Sequence, residues 1–421
     1  MTRLPEVPRS TARIAGSTGN HSKLAQTYRR FAEVDAPKIS PFYERLARAL
    51  SESNAALRAI ESAPTRKRNP ALIVAALHHL ALTGQSPTLT TAYNAAVSPA
   101  HAAPASADPA SVKPAPAGLV RTEAGLRSAV GLEASAAEGM DVEAGFDSDS
   151  AVEAAVRTLV EMTEAVVGVV SGRKVRGNVG GNHAVLYPAI AEVARRVGAG
   201  AVGLIDVGCS AGFNLNVDRV GITYGNGQTL GDPSSPVQAS ASIVKEQAVP
   251  THAMPEVVAR IGIDPEPIDT SDVDEARWLR ACLPPDQPEQ TARLEGELEL
   301  AASAPPFLMQ GDAVDLLPDA IARVPADALP VVTTTWALSD LPLESRLRFL
   351  QRLDAAATNR PVAWVSVEGV GVAPAIPTFG DRPASGHSII GLAVFSHSTL
   401  QAESVGRCWL RGQMLAWLAD S

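Results

Sequence analysis

Residues 204–216 read Leu-Ile-Asp-Val-Gly-Cys-Ser-Ala-Gly-Phe-Asn-Leu-Asn, and they carry the strongest indication of the fold. An apolar strand ends in Asp206, and a tight loop that contains Gly208 and Gly212 leads into a predicted helix. Gly208 can adopt a positive φ and lets a ligand approach the backbone closely, while Gly212 lets the helix start near the strand. Free N–H groups at such a helix start favour a ligand carboxylate or phosphate. The stretch therefore predicts a ligand site beyond the carboxyl end of a strand.

Helix and strand patterns alternate from about residue 184 onward. Residues 184–200 predict a helix that glycine closes, and the apolar run that follows it predicts a short buried strand. Strands separated by helical crossovers imply a mainly parallel sheet that is covered on both faces. We therefore predict an α/β fold with a doubly wound, mainly parallel sheet. Further strands are expected at 307–312, 329–338 and 361–368, with an antiparallel pair at 387–398 and 403–418.

The residues ahead of this region show a different, helical pattern. Ser40 and Asn69 each precede a proline, which combines an N-cap residue with proline at the first helical position. The segment after Asn69 is apolar nearly all round, so its helix is expected to be buried between neighbours. These signals predict an N-terminal helical domain at 21–94.

Composition divides the rest of the chain. Residues 1–20 are polar and are predicted to form a loose N-terminal arm. Residues 95–150 begin with an Ala/Pro/Ser-rich stretch that has almost no bulky side chains, and they are predicted to be a flexible insertion. The remaining 151–421 are assigned to the α/β domain.

Overall composition excludes several classes of function. The chain has 421 residues, 46% of them hydrophobic, and a net charge of −9, which argues against a nucleic-acid partner. Its three cysteines lie far apart, so neither a disulfide framework nor a metal site is predicted, and a reducing, cytoplasmic location is expected. No apolar run reaches about 18 residues, so no membrane-spanning segment is predicted.

The glycine loop resembles the first motif of S-adenosylmethionine (SAM)-dependent methyltransferases, an acidic residue followed by Gly-x-Gly-x-Gly. Ser210 occupies the place of the middle glycine. The spacing differs from the dinucleotide motif, because only two glycines occur, four residues apart. The alternative is a glycine turn that links any strand to any helix. The resemblance implies a Rossmann-like class I methyltransferase fold with SAM as cofactor, bound by Asp206, Gly208, Cys209, Ser210, Gly212 and Asn214.

Two later segments occur in the order expected for such an enzyme. Asp312 and Ala313 follow a strand, where methyltransferases commonly bind the adenine amino group, although Asp312 can equally be a helix cap. The strand that ends near Trp336 resembles the fourth methyltransferase motif, whose residues face the methyl group. Trp336 is a candidate to pack over the cofactor or, alternatively, a core residue.

The acid that binds the ribose is less well marked. It usually ends the second strand, about 20 residues after the last loop glycine. Asp232 lies at that distance and is the predicted residue, with a turn role as the alternative and Asp218 as the competitor.

Several segments also resemble a bacterial family of unknown function with a methyltransferase-like core. The resemblance implies an Asn-Glu-x-Gly-Arg type of motif before the first strand, where this chain reads Gly-Asn-Val-Gly-Gly-Asn-His at 177–183. The Glu and Arg that would hold the cofactor carboxylate or the substrate are absent from this segment. The matching segments are 43–50, 205–219, 231–237, 262–294, 310–318 and 362–368.

Candidates for a catalytic base are few. They are His183 and Asp340, with Glu368 as a third, and no catalytic residue is assigned. The pair His78 and His79 lies on an apolar helix and is interpreted as packing. Cys209 could have a lowered pKa at a helix start, but a packing role is the preferred interpretation.

Two leading hypotheses follow for function, and the loop spacing disfavours a third, a nicotinamide-dependent oxidoreductase. The first is a SAM-dependent methyltransferase-like protein that acts on a small molecule, because methyl transfer can depend on positioning and desolvation alone. The second is a non-catalytic protein that binds SAM as a sensor or acts as a scaffold, which the altered 177–183 motif favours. No nucleic-acid or membrane partner is expected, and the oligomeric state is left open.

Overall fold

A computed structural model describes residues 15–97, 148–176, 180–244, 248–397 and 399–419 of the chain. In these residues the protein is a mixed α/β structure, with a helical N-terminal part and a large, mostly parallel central sheet. The α-helices are α1 (Ala15–Arg30), α2 (Pro41–Glu52), α3 (Asn54–Glu61), α4 (Pro70–Leu82), α5 (Pro87–Val97), α6 (Ser148–Glu161), α7 (Thr163–Gly172), α8 (His183–Val197), α9 (Val273–Ala281), α10 (Pro288–Ser303), α11 (Ala313–Ala322) and α12 (Leu343–Ala356).

The sheet has eleven strands within the described residues. They are β1 (Ala201–Val207), β2 (Gly221–Tyr224), β3 (Thr229–Gly231), β4 (Gln238–Ile243), β5 (Glu256–Asp264), β6 (Phe307–Gln310), β7 (Leu329–Thr335), β8 (Val362–Gly369), β9 (Ser388–Ser396), β10 (Thr399–Trp409) and β11 (Met414–Trp417).

The strand order is β3-β2-β4-β11-β10-β9-β8-β7-β1-β5-β6. Strands β6, β5, β1, β7 and β8 form one continuous parallel block. Beyond it, β9 and β10 pair antiparallel, which confirms the pairing predicted for the tail. The order reverses between β1 and β7, because β5 and β6 extend the sheet on one side of β1 while β7 and β8 extend it on the other.

Alternating side chains of the parallel strands fill a core on each face of the sheet. Leu204 belongs to the core beneath α8, and its neighbour Ile205 belongs to the core beneath α11 and α12. Val331 and Val332 of β7 divide in the same way. Successive residues of a strand point to opposite faces, so a strand that is apolar throughout must be covered on both. The predicted two-faced burial is thus observed.

The helical part begins where the sequence predicted. Ser40 caps α2 by accepting a hydrogen bond from the Tyr43 N–H, and Asn69 caps α4. Helix α4 is buried nearly all round, as expected. Helices α6 and α7 share this core with α2 and α4, and so does Trp278 of α9. The chain on both sides of 98–147 therefore contributes to one helical core, and the predicted division into domains stays a prediction.

Three predictions about secondary structure need comment. Helix α1 begins at Ala15, inside the stretch predicted to be a loose arm, and residues 1–14 lie outside the described residues. The predicted insertion lies outside them over 98–147. The helix expected after the glycine loop is wrong, because that segment is a short 3-10 helix, Phe213–Arg219. Strand β2 starts at Gly221, which leaves too few residues for a helical crossover. Among the described residues, no helix has the length and apolarity needed to cross a bilayer.

Candidate functional site

A small cavity of about 120 Å³ opens at the carboxyl ends of β1 and β7, where the strand order reverses. We call it the loop pocket. Ligands of open parallel sheets bind at such reversal points. The described residues that line it come from the loop after β1, the loop after β7, the segment before α8 and the turn after β10: Gly180, Asn182, Gly208, Cys209, Ser210, Ala211, Phe213, Asn214, Thr335, Trp336 and Arg411.

The loop after β1 turns through three left-handed residues, Gly208 (φ 73°), Ser210 (φ 51°) and Gly212 (φ 75°). A side chain at Gly208 would place its Cβ 2.8 Å from the Cβ of Ala337, so the two loops pack directly against each other. Glycine at this position therefore satisfies both the turn and the close approach of the loop after β7.

The backbone N–H groups of this loop are mostly engaged within the protein. The Gly208 and Cys209 N–H groups donate to the Ile263 carbonyl (2.8 and 3.3 Å), and the Gly212 N–H donates to the Cys209 carbonyl (2.7 Å). The Ser210 N–H donates to a carboxylate oxygen of Asp264 (3.0 Å). These four N–H groups are therefore not available to a ligand anion.

Asp264 lies against the glycine loop, and the sequence analysis did not single it out. It ends β5, the strand next to β1, and its second carboxylate oxygen accepts the Glu266 N–H (2.8 Å). The β2–β4 excursion separates β5 from β1 in the chain, so a search about 20 residues after the loop could not reach it. The alternation of apolar residues at 257, 259, 261 and 263 could have found the strand.

Asn214 joins three elements at the floor of the loop pocket. Its amide nitrogen donates to Asp206 (3.1 Å) and to the Thr335 hydroxyl (3.2 Å), and its amide oxygen accepts the Asn182 N–H (2.8 Å). Hydrogen bonds with β1, with β7 and with the segment before α8 thus orient this side chain.

Asp206 lies beneath this floor and is fully buried. The Thr333 hydroxyl donates to its other carboxylate oxygen (2.6 Å). Burial, together with the nearby Asp264 carboxylate, raises the pKa of Asp206 to about 6, against the hydrogen bonds from Thr333 and Asn214. Asp206 supports Asn214 and does not line the cavity.

His183 also lies behind the pocket wall. It is fully buried, and its Nε2 is 2.9 Å from an oxygen of Glu297 on α10, which also accepts the Gly181 N–H. Burial opposes ionisation of Glu297, but His183, the Gly181 N–H and the Arg293 charge together lower the Glu297 pKa. Arg293, on the same helix, donates to the Gly181 carbonyl (2.6 Å). A glutamate and an arginine of α10 therefore hold the segment whose own sequence lacks both.

The loop after β7 forms the opposite wall. Trp336 has a left-handed backbone (φ 57°), and its indole N–H donates to the Ser388 hydroxyl (2.8 Å). One Glu368 oxygen accepts the N–H groups of Ala337 (3.1 Å) and Leu338 (3.0 Å). Burial raises the pKa of Glu368 to about 7, although these N–H groups favour its ionised form. Glu368 positions this wall and does not line the loop pocket.

A turn between β10 and β11 completes the mouth of the cavity. It carries Arg411, whose guanidinium carbon lies 5.4 Å from the centre of the Trp336 ring. No sequence motif marked this residue, because the turn is distant in the chain from every other part of the site.

The family model described as "Uncharacterized protein conserved in bacteria (DUF2332)" matches residues 25–115 and 134–417. The chain belongs to this family. The predicted resemblance to a bacterial family of unknown function is therefore confirmed, while the methyltransferase-like core stays a prediction. No curated protein matches the chain.

The residues of this DUF2332 chain that were predicted to bind the ribose and the adenine lie outside the loop pocket. Asp232 is exposed and accepts hydrogen bonds from Ser234 in a turn (2.8 and 2.6 Å). Asp218 pairs with Arg260 through both carboxylate oxygens (2.7 Å each). Asp312 caps α11, of which Ala313 is the first residue.

The remaining candidates are also placed. Asp340 is exposed in a 3-10 turn after β7. Burial raises the pKa of Cys209, so the lowered pKa considered for it is wrong and the packing interpretation holds. His78 packs as expected, with its ring nitrogen 2.9 Å from the Leu283 carbonyl and its pKa lowered to about 4 by burial. Among the described residues, no cluster of His, Cys, Asp or Glu suits a metal ion.

Proposed function

We propose that this protein is a SAM-dependent methyltransferase-like protein that acts on a small molecule. One observation carries the proposal: Asp264, at the end of β5, accepts the N–H of Ser210 in the glycine loop after β1. A carboxylate on the second strand beside a glycine loop on the first is the arrangement with which doubly wound folds hold an adenosine ribose. The loop pocket opens beside this pair.

The strand order supports the same proposal. Numbered by their order in the chain, the parallel strands β6-β5-β1-β7-β8 read 3-2-1-4-5, which is the doubly wound order. The tail departs from a simple Rossmann-like continuation, because β9 follows β8 directly and antiparallel. A class I methyltransferase core is accordingly proposed for the parallel block alone.

Residues along this edge suit the three parts of the cofactor. Asp264 would bind the ribose hydroxyls. Asp312 follows β6, the strand next to β5, and would bind the adenine. The loop pocket, with Gly208 at its wall, would take the amino-acid part. Bound there, SAM would supply an activated methyl group.

The lining of the loop pocket indicates what the protein itself contributes to methyl transfer. Among the described residues, no His, Asp or Glu lines the cavity. Catalysis would therefore rest on holding the acceptor in line with the methyl group and on excluding water. An acceptor that does not need the protein to remove its proton fits this lining best.

The same observation favours a second candidate, a protein that binds SAM or its product without catalysis. His183 is buried against Glu297, and the Glu368 carboxylate is bound to two N–H groups, so neither is available at the cavity. Fold alone does not separate an enzyme from such a sensor.

Isothermal titration calorimetry tests the binding step common to both. We expect SAM and S-adenosylhomocysteine to bind and NAD to bind poorly, because the loop lacks the third glycine of the dinucleotide motif. Absence of heat with either adenosyl compound at about 1 mM would refute both candidates. If they bind, transfer of a labelled methyl group to a metabolite mixture separates the enzyme from the sensor.

A further inference from the structure

Arg411 is the one charged residue among the described residues that line the loop pocket. Other arginines of the same sheet have carboxylate partners: Arg407 pairs with Asp381, and Arg260 pairs with Asp218. Within the described parts of the chain, Arg411 contacts the Trp336 ring and forms no ion pair. A cation at the mouth of a cavity without an opposing carboxylate is suited to an anion brought by a ligand.

The turn that carries Arg411 is strained. Leu410 (φ 49°) and Arg411 (φ 52°) both have left-handed backbones, and neither is glycine. A left-handed backbone is unfavourable for residues other than glycine, and it persists only where the surroundings impose it. Burial of Leu410 cannot be the compensation, because its side chain is 67% exposed. The turn places Arg411 in the lining of the loop pocket, with its guanidinium over the Trp336 ring.

The neighbouring backbone gives the same indication. The N–H groups of Gly208, Cys209, Ser210 and Gly212 are engaged within the protein, and the segment after them is a 3-10 helix of seven residues. These four N–H groups are therefore not available to an anion in the loop pocket. Among the described lining residues, the guanidinium is the group with the charge and the paired donors that a carboxylate requires.

We propose that Arg411 is the carboxylate-binding residue of the loop pocket. The first source of the bound carboxylate is the amino-acid part of the cofactor, and in that form the inference rests on the proposed function. The second source is a carboxylate on the acceptor. The two share one chemistry, a paired guanidinium–carboxylate contact over Trp336, and they differ in which ligand loses affinity when Arg411 is replaced.

Binding to the full-length protein tests the first source. Calorimetry compares S-adenosylhomocysteine with 5′-methylthioadenosine, which lacks the amino-acid part, in the unmodified protein and in Arg411→Asn. Asparagine tolerates the left-handed backbone, so the change removes the charge without adding strain. We expect the affinity for S-adenosylhomocysteine to fall about tenfold or more and that for methylthioadenosine to stay within about twofold. Arg411→Lys should retain part of the affinity, and Arg352→Ala, an exposed arginine on α12, should change neither.

Titration of small carboxylates tests the second source. Benzoate and acetate are added to protein saturated with S-adenosylhomocysteine, with benzamide and acetamide as uncharged controls. If the carboxylate belongs to the acceptor, Arg411→Asn leaves S-adenosylhomocysteine binding intact and abolishes the binding of the acids.

The results have distinct meanings. Loss of either carboxylate ligand alone in Arg411→Asn supports the proposal and identifies the source. The proposal is overturned if the variant binds every ligand as the unmodified protein does, or if it loses methylthioadenosine equally, since that would be a structural effect. Failure of the unmodified protein to bind either adenosyl compound refutes the proposed function instead, and the titration of acids without cofactor then decides the role of Arg411.

Discussion

Two turns meet at the loop pocket, and they are built differently. The loop after β1 places glycine at two of its three left-handed positions, Gly208 and Gly212. The turn after β10 places leucine and arginine at its first two, Leu410 and Arg411, ahead of Gly412. The first turn follows the rule that glycine occupies left-handed backbone, and the second departs from it.

The difference shows which kind of site a sequence reveals. A glycine turn is visible in the sequence because its residues are selected for backbone geometry. A strained turn of ordinary residues is invisible, because its conformation depends on the strands that it joins. In this protein the first turn supplies shape to the loop pocket and the second supplies charge.

The largest effect should come from placing a side chain in the glycine turn. Gly208→Ala adds a Cβ that would lie 2.8 Å from the Ala337 Cβ, in a left-handed backbone. We expect the free energy of unfolding to fall by about 2–3 kcal/mol, measured by urea denaturation.

The matched control for this change is Gly386→Ala. Gly386 has nearly the same φ (72°), and a Cβ there would meet nothing within 4 Å, so only the backbone cost of about 1 kcal/mol is expected. Equal losses in the two variants would show that contact with the loop after β7 contributes nothing, and the close packing of the two walls would be contradicted.

An effect of intermediate size is expected in the pH dependence of the free energy of unfolding. It arises from Glu368, which binds the loop against which Gly208 packs. Glu368 has its pKa raised to about 7 in the folded protein, from an ordinary value of 4.5. The folded state then binds more protons than the unfolded state between these values, so stability falls as pH rises from 4.5 to 7. Asp206, raised to about 6 from 3.8, acts in the same direction.

Replacement of Glu368 by glutamine isolates its share of this slope. The amide oxygen can still accept the Ala337 and Leu338 N–H groups, so we expect the fold to be kept. The loss of stability between pH 4.5 and 7 should shrink by on the order of 2 kcal/mol in urea denaturation. Asp232→Asn is the control, because Ser234 lowers the pKa of this exposed carboxylate and leaves it ionised across that window. An unchanged slope in the glutamine variant would contradict the burial effect.

The smallest effect should come from relieving the strained turn. Leu410→Asn introduces a residue that accepts left-handed backbone at a position that is already 67% exposed. We expect a gain in stability of about 0.5–1 kcal/mol, seen as a higher melting temperature. Leu347→Asn, a similar change at a partly exposed position of α12, should give no gain. A loss of stability at Leu410 would mean that the turn is not strained.

Patterns within single segments predicted much of the fold correctly. The caps of α2 and α4, the glycine end of α8, strands β1, β6, β7 and β8, and the antiparallel tail all follow from local spacing and turn residues. Strand β5 was not predicted, because Arg260 interrupts its apolar pattern. In the structure that side chain pairs with Asp218. The segment after the glycine loop is a 3-10 helix and not the predicted helix, because β2 begins directly after it.

The sequence alone determined that this chain forms an α/β fold with a glycine loop at the end of a central strand, because those features depend on residues that are neighbours in the chain. Only the tertiary structure decided what surrounds that loop. Asp264 reaches it across the β5 pairing, and Arg411 reaches it from the far end of the chain. Long-range strand order sets both contacts, and no local spacing encodes it.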